Sequence, residues 1–262
     1  MVDIEALKDS LTRREQGPDR RPLWTVPAAH AEDMARAAEE VLECQDALAR
    51  GGANLVGEVL RGQGAFTEWS HYPKGDVYDR QTHAQYYYHA HPSSLRGGEH
   101  GHFHTFVRAK GMPDGIEPAP LPAAVERPLG EDALSHLVGI SMDKAGRSLR
   151  LFTTNRWVTG ESWYAAADVI AMLDRFRITH AVPSWPANRW VGAMLRLFRP
   201  QVEWLLGERD EAVRLWQLGN AGAETSVYED RGLEVTSVLD ISVDEQVRLV
   251  RAAAAGQTVS QA

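Results

Sequence analysis

Apolar residues recur at helical spacing from about Ala31 to Ala49. Met34, Ala37, Val41, Cys44 and Leu48 form one stripe, and Glu32, Asp33, Arg36, Glu39, Glu40 and Glu43 lie off it. This pattern predicts an amphipathic helix with a solvated outer face, stopped at Arg50-Gly51-Gly52. Pro18, Pro22 and Pro27 mark the residues before it as an extended lead-in. The period then shortens. Residues 65–72 (AFTEWSHY), 76–91 (DVYDRQTHAQYYYHAH) and 99–108 (EHGHFHTFVR) are rich in aromatic and β-branched side chains, and they predict three antiparallel strands. Pro73-Lys74-Gly75-Asp76 is expected to close the first pair and residues 92–98 the second. The prolines of 111–130 predict a long surface loop, either a lid or a plain excursion.

A second hairpin is expected from 135–143 and 147–155 around Lys144-Ala145-Gly146. Helical spacing then returns. Trp163, Ala166, Ala167, Ile170 and Leu173 share one face, as do Trp190, Met194 and Phe198 on the next helix. Pro200 ends that helix and opens another reaching about Leu218. Residues 233–241 read as a late strand, Ser242-Val243-Asp244-Glu245 as a capping box for a last helix, and 255–262 as a disordered tail. The predicted architecture is α+β: an antiparallel β-sheet carrying a histidine ladder, covered by N- and C-terminal helices. It is read as a single domain over 1–262. Residues 1–60 are its helical N-terminal segment, 65–155 the β core, and 160–255 a mainly helical cover with one late strand.

Composition narrows the function classes. A chain of 262 residues with 44% hydrophobic content can build a substantial core. The net charge of -8 and the absence of a long basic run argue against nucleic acid or an anionic membrane as partner. Cys44 is the only cysteine, which excludes an internal disulfide and every multi-cysteine metal motif. Its place on the apolar helix stripe predicts a buried, inert thiol. The charged start MVDIEALKDSLTRREQ has no apolar signal region and no stretch is apolar enough to span a bilayer, so a cytoplasmic protein is expected.

The chemistry concentrates in one place. Of the 10 histidines, those at 71, 83, 89, 91, 100, 102 and 104 fall in one short stretch. Strand alternation puts His100, His102 and His104 on one face, and His83, Gln85, Tyr87, His89 and His91 on one face of the preceding strand. A hairpin closing around 92–98 opposes His91 to His100, His89 to His102 and Tyr87 to His104. Imidazoles at such positions can converge on one ion. A metal also resolves the hydrogen-bonding problem of a dense histidine cluster, because each ring gives its lone pair to the ion and its N–H outward. The expected ligands are His89, His91, His100, His102 and His104, with His89, His102 and His104 central. The cofactor is one transition-metal ion: iron, copper or zinc.

Glu99 has the wrong parity for the row, but a bulge at Gly97-Gly98 would turn its carboxylate inward as a ligand or a catalytic group. Tyr87 is the second catalytic candidate, and Arg96 and Arg108 are candidates for binding a small-molecule substrate. Asp79 is an alternative general base for a zinc hydrolase. His136, on a face with Val138 and Ile140, reads as a core histidine, and His30, His71 and His180 show no pattern. The leading expectation is a metal-dependent enzyme acting on a small molecule, with iron or copper oxidoreductase chemistry. The alternatives are a zinc hydrolase and a non-catalytic metal-binding protein.

Three resemblances add to this. His89-Ala90-His91-Pro92 resembles the first half of a cupin metal motif, although the next carboxylate, Glu99, lies farther along than in that family. His100-Gly101-His102-Phe103-His104-Thr105-Phe106 resembles the histidine-triad motif of nucleotide hydrolases and transferases, which implies His102 as a nucleophile towards an α-phosphate. No Asn-plus-Gly/Gln phosphate segment precedes it here. The stretch Phe66–Arg108, with Asn155-Arg156-Trp157-Val158-Thr159-Gly160-Glu161, resembles an uncharacterised bacterial family of unknown function, which implies no particular activity.

Overall fold

A computed structural model of the chain describes residues 22–91, 98–122 and 125–256. The lead-in before residue 22, most of the predicted turn at 92–98, the tail from 257 and the substrate candidate Arg96 lie outside them. Six strands form one antiparallel sheet in chain order: β1 (Tyr72–Tyr78), β2 (Ala84–His89), β3 (Gly101–Arg108), β4 (Leu134–Met142), β5 (Ser148–Thr154) and β6 (Val235–Asp240). Helices α1 (Ala31–Arg50) and α2 (Leu55–Leu60) precede the sheet. Between β5 and β6 come α3 (Arg156–Thr159), α4 (Ala166–Met172), α5 (Trp185–Leu197) and α6 (Arg199–Gly219), and α7 (Val243–Ala254) follows β6. Among the described residues, no helix is long and apolar enough to cross a membrane.

The amphipathic stripe of α1 is buried as its spacing predicts, with Met34, Ala37, Val41, Cys44 and Leu48 inside. This helix packs on α5 and α7. Burial pushes the Cys44 thiol up to about 11, so it stays protonated and unreactive near neutrality. One sheet face carries the main core. Tyr86, Tyr88, Phe103, Ile140, Met142 and Leu151 join the apolar side chains of α1, α5, α6 and α7 there. Tyr86 donates its hydroxyl to Asn188 Oδ1 of α5 at 2.6 Å, and Phe103 packs on Trp190 of the same helix. Ser242 caps α7 by accepting from Glu245 N, as the capping-box spacing expects.

Two sequence expectations fail locally. The 65–72 stretch does not form a strand up to its last residue, and Pro73–Asp76 lie within β1 rather than in a turn. The β1–β2 register shifts between Tyr72 and Val77, so these residues form an irregularity in the strand. The real turn is 79–83, built by Asp79. Its carboxylate accepts from Gln81 N at 2.7 Å, Thr82 N at 3.0 Å and Thr179 Oγ1 at 2.7 Å, and also from Thr179 N. The helix expected to carry Trp163 starts at Ala166. Trp163 instead joins Leu121, Val125, Val213 and Trp216 in a second small core, which ties the 111–130 loop down.

The Asp79 hydrogen bonds have a measurable consequence. Burial raises its pKa, but the Thr179 hydroxyl and N–H and the Thr82 and Gln81 N–H groups outweigh it and hold the carboxyl at about 2. The lowered value means its stabilisation is present above the unfolded carboxyl pKa and is lost as pH falls towards 2. Asp79→Ala is expected to cost about 2 kcal/mol at neutral pH by chemical denaturation, because the charge-assisted hydrogen bonds that close the turn are lost. These donors also occupy the carboxylate at the opposite end of β2 from His89, about 17 Å along the strand. Asp79 is therefore a turn-forming residue and not a general base at the histidine cluster.

Candidate metal site

The second sheet face carries the histidines. The β2–β3 register pairs His89 with His102 and Tyr87 with His104, bringing the His89 and His102 ring centroids to 4.7 Å. His91, just past the end of β2, places its Nε2 2.8 Å from His89 Nε2. One ring nitrogen from each of His89, His91 and His102 lies within 4.8 Å of the others, so these three can hold a metal ion. Two imidazole nitrogens bound about 2.0–2.1 Å from one ion sit ~2.9 Å apart at a right angle and ~3.3 Å apart in a tetrahedron. The His89–His91 spacing is close to the first value already. His89 and His91 are partly open to solvent, whereas His102 is 1% exposed.

Glu99 fixes the third ring. Its backbone follows Gly98, which has φ 79, and its carboxylate turns inward. Oε1 lies 2.7 Å from His102 Nδ1, and Oε2 accepts from Ser141 Oγ at 2.6 Å. A carboxylate beside Nδ1 selects the tautomer protonated there and leaves the lone pair on Nε2. Glu99 thus acts on His102, where the sequence offered it as a ligand or a catalytic group. Glu99→Gln should keep the shape but remove the charge that raises the basicity of His102. Metal affinity is then expected to fall about 10- to 100-fold in a competitive chelator titration.

The row continues one step inward as a buried pair. His104 Nδ1 lies 3.0 Å from His136 Nε2. The β3–β4 register runs His104 to Gly139 but Phe106 to His136, so β4 carries an extra residue between them. Thr105 fills this bulge, donating to Val138 O at 2.7 Å. The bulge reverses the parity of His136 and moves it from the face of Val138 and Ile140 to the histidine face. Burial, then the neighbouring His102, His136, His89 and His71, hold the His104 pKa well below the ordinary value. Burial, Arg209 and His102 hold that of His136 at about 3. Both rings are neutral near pH 7.

Aromatic rings frame the cluster. Phe152 packs edge-on against His102 at 5.2 Å, and it fits because Gly139 faces it: a Cβ there would sit 2.4 Å from the ring. His71, which had no pattern in the sequence, stacks on Tyr87 with centroids 3.6 Å apart and planes 9° apart. Trp69 lies 4.2 Å from the His91 ring. Behind the cluster sits Glu161, which accepts from His136 N at 2.6 Å and was missed because it lies far away in sequence. Burial raises its pKa to about 7, against the opposing pull of Arg209, the His136 N–H, the Thr159 hydroxyl and Arg156.

Other predicted site residues fall elsewhere. His100 does not join the row, because its Nδ1 lies 2.8 Å from Tyr88 Oη and its ring packs on Phe66. Tyr88 reaches it across Gly101, whose missing Cβ would stand 2.5 Å from the Tyr88 hydroxyl. His83 sits in the 79–83 turn, with Nδ1 2.6 Å from the Tyr78 hydroxyl. Arg108 donates its Nε to Gln85 Oε1 at 2.6 Å, and Gln85 Nε2 donates to Asp76. These three line an open cavity of ≈ 480 Å³ with Lys110, Glu131 and Asp132, six strand residues from His102. Arg108 is therefore remote from the three imidazoles.

Searches of curated proteins and of solved structures return no match to this chain. Its sequence matches one family model over residues 35–241, a span that contains the whole sheet, the histidine face and Glu161. The chain therefore belongs to the family described as Domain of unknown function (DUF6969).

Proposed function

We propose that His89, His91 and His102 bind one transition-metal ion, and that the chain is a metal-dependent enzyme acting on a small molecule, with iron or copper oxidoreductase chemistry. The observation that carries the reading is the convergence of three imidazole nitrogens within 4.8 Å, one of them oriented by a buried carboxylate. A metal-ligating histidine commonly gives its other N–H to a carboxylate in this way. Three imidazoles suit iron, copper or zinc, and the lack of thiolate ligands argues against a structural cysteine site. A bound iron or copper ion would supply one-electron chemistry at coordination positions that three ligands leave open.

The protein's own part is arrangement and exclusion. Glu99 and Ser141 set the His102 tautomer, and Phe152 seals the floor beneath His102 and His104. The partly open His89 and His91 leave the outer side accessible to a small molecule. The histidine-triad resemblance asks for three alternating imidazoles from one strand. With His100 turned to Tyr88 only two remain, which favours the metal reading.

Azide titration of the copper-loaded protein separates an enzyme from a carrier. An open position gives a new ligand-to-metal absorption band that saturates with azide. A copper-loaded protein whose spectrum ignores azide has a closed shell, and the enzyme reading then fails in favour of a non-catalytic metal-binding protein.

A further inference from the structure

Trp69 is the most strained bulky residue described. Its φ is 69°, in the left-handed region that a large side chain rarely adopts. Such a conformation costs about 1–3 kcal/mol and persists only where the surroundings impose it. Two contacts impose it here. Trp69 N donates to Ala90 O at 2.9 Å, tying the loop to the segment between His89 and His91. The indole lies 4.2 Å from the His91 ring at 56° and 6.4 Å from the His89 ring. A glycine would keep the backbone bond without the strain. The side chain itself is 57% exposed, so apolar burial offsets only part of the cost. The strain thus places a large, half-open aromatic surface against two of the three proposed ligands.

Resting on the metal reading above, we propose that Trp69 is the substrate-stacking residue of this site, and that the substrate class is a planar aromatic compound carrying a metal-binding substituent. An aromatic ring seated on the indole has its substituent beside His91 and His89, where the ion is held. Tyr87 and Phe152 are buried beneath the histidines, so the exposed indole of Trp69 is the aromatic surface that a ring can reach beside His91 and His89. A stacked or edge-on aromatic pair contributes about 0.5–1.5 kcal/mol beyond simple burial.

The test compares two chelators that differ in their ring: acetohydroxamate, which reports the metal alone, and benzohydroxamate, which adds a phenyl group. Each is titrated into the cobalt-loaded full chain, and binding is read from the visible cobalt bands. The wild-type protein should prefer benzohydroxamate, Trp69→Leu should lower that preference about three- to tenfold, and Trp69→Phe should keep most of it. Acetohydroxamate should bind all three proteins alike, which shows that the leucine variant still folds and holds metal. Equal preference in wild type and Trp69→Leu, with acetohydroxamate still bound, overturns the stacking role and leaves the metal site standing. Failure of the wild-type chain to take up cobalt, iron, copper or zinc overturns the metal reading and this proposal with it.

Discussion

His102→Ala is expected to weaken transition-metal binding by more than about 100-fold, beyond the ~10- to 100-fold that loss of an outer partner costs. His102 is the one buried member of the group of three, and the one with a carboxylate fixing its tautomer. The substitution also takes a ring from between Phe152 and Glu99 and removes the N–H that Glu99 accepts. A stability loss of about 1–3 kcal/mol should accompany it, as for other buried hydrogen bonds that lose one partner. His100→Ala is the matched control. It lies two residues away on the same segment but is held by Tyr88 and Phe66, so metal affinity should stay within about twofold of wild type. A histidine-rich stretch that bound metal loosely through any available ring would show similar losses in both variants.

The second large effect is a pH dependence of stability centred on Glu161. Its pKa is raised to about 7 in the folded protein, chiefly by burial, against an unfolded value of 4.5. For an acid with a raised folded pKa, the native state binds the proton more tightly than the unfolded chain does. Stability therefore falls as pH rises from about 4.5 to about 7, and the full cost of the buried charge is present above that window. A difference of this size corresponds to about 3 kcal/mol. Glu161→Gln keeps an oxygen to accept from His136 N and removes the charge. The variant should be more stable than wild type at pH 8 by up to about 3 kcal/mol, and the gap should close as pH falls towards 5. Denaturant melts across this range check it. A gap that is constant with pH would show that the charges of Arg209 and Arg156 keep the Glu161 carboxylate ionised throughout this range.

The sequence resolved some of this arrangement better than the rest, for physical reasons. The pairing of His89 with His102 and of Tyr87 with His104 was legible because both strands alternate cleanly over a short hairpin. The strands β3 to β6 and the helices α1, α5, α6 and α7 were legible from period and end signals, such as Pro200 and Ser242. What failed depends on local irregularity. His136 was assigned to the core face because alternation was carried through β4, where an extra residue reverses it. His100 was assigned to the row because nothing in the pattern shows that Tyr88 crosses Gly101 to reach it. The β1–β2 turn was misplaced because Pro-Lys-Gly-Asp carries stronger turn chemistry than Asp79-Arg80-Gln81-Thr82, which closes only with help from Thr179. Glu161, Ser141 and His71 join the site through tertiary contacts, and no local spacing marks them.

Glu99 sits between the two cases. Its inward turn followed from the glycines before it, but its partner did not. It contacts His102 and Ser141 at once, and only the β3–β4 pairing brings both within reach. That partnership fixes one ring of the three neighbouring imidazoles and leaves Nε2 of His102 as the nitrogen open to an ion.

Elemental analysis of the purified, untagged full chain tests the central claim most directly, run on wild type, His102→Ala and His100→Ala. Near-stoichiometric transition metal in wild type and His100→Ala, with little or none in His102→Ala, is the predicted result. Wild-type protein without metal after exposure to iron, copper and zinc, or a His102→Ala variant that holds as much as wild type, would contradict it.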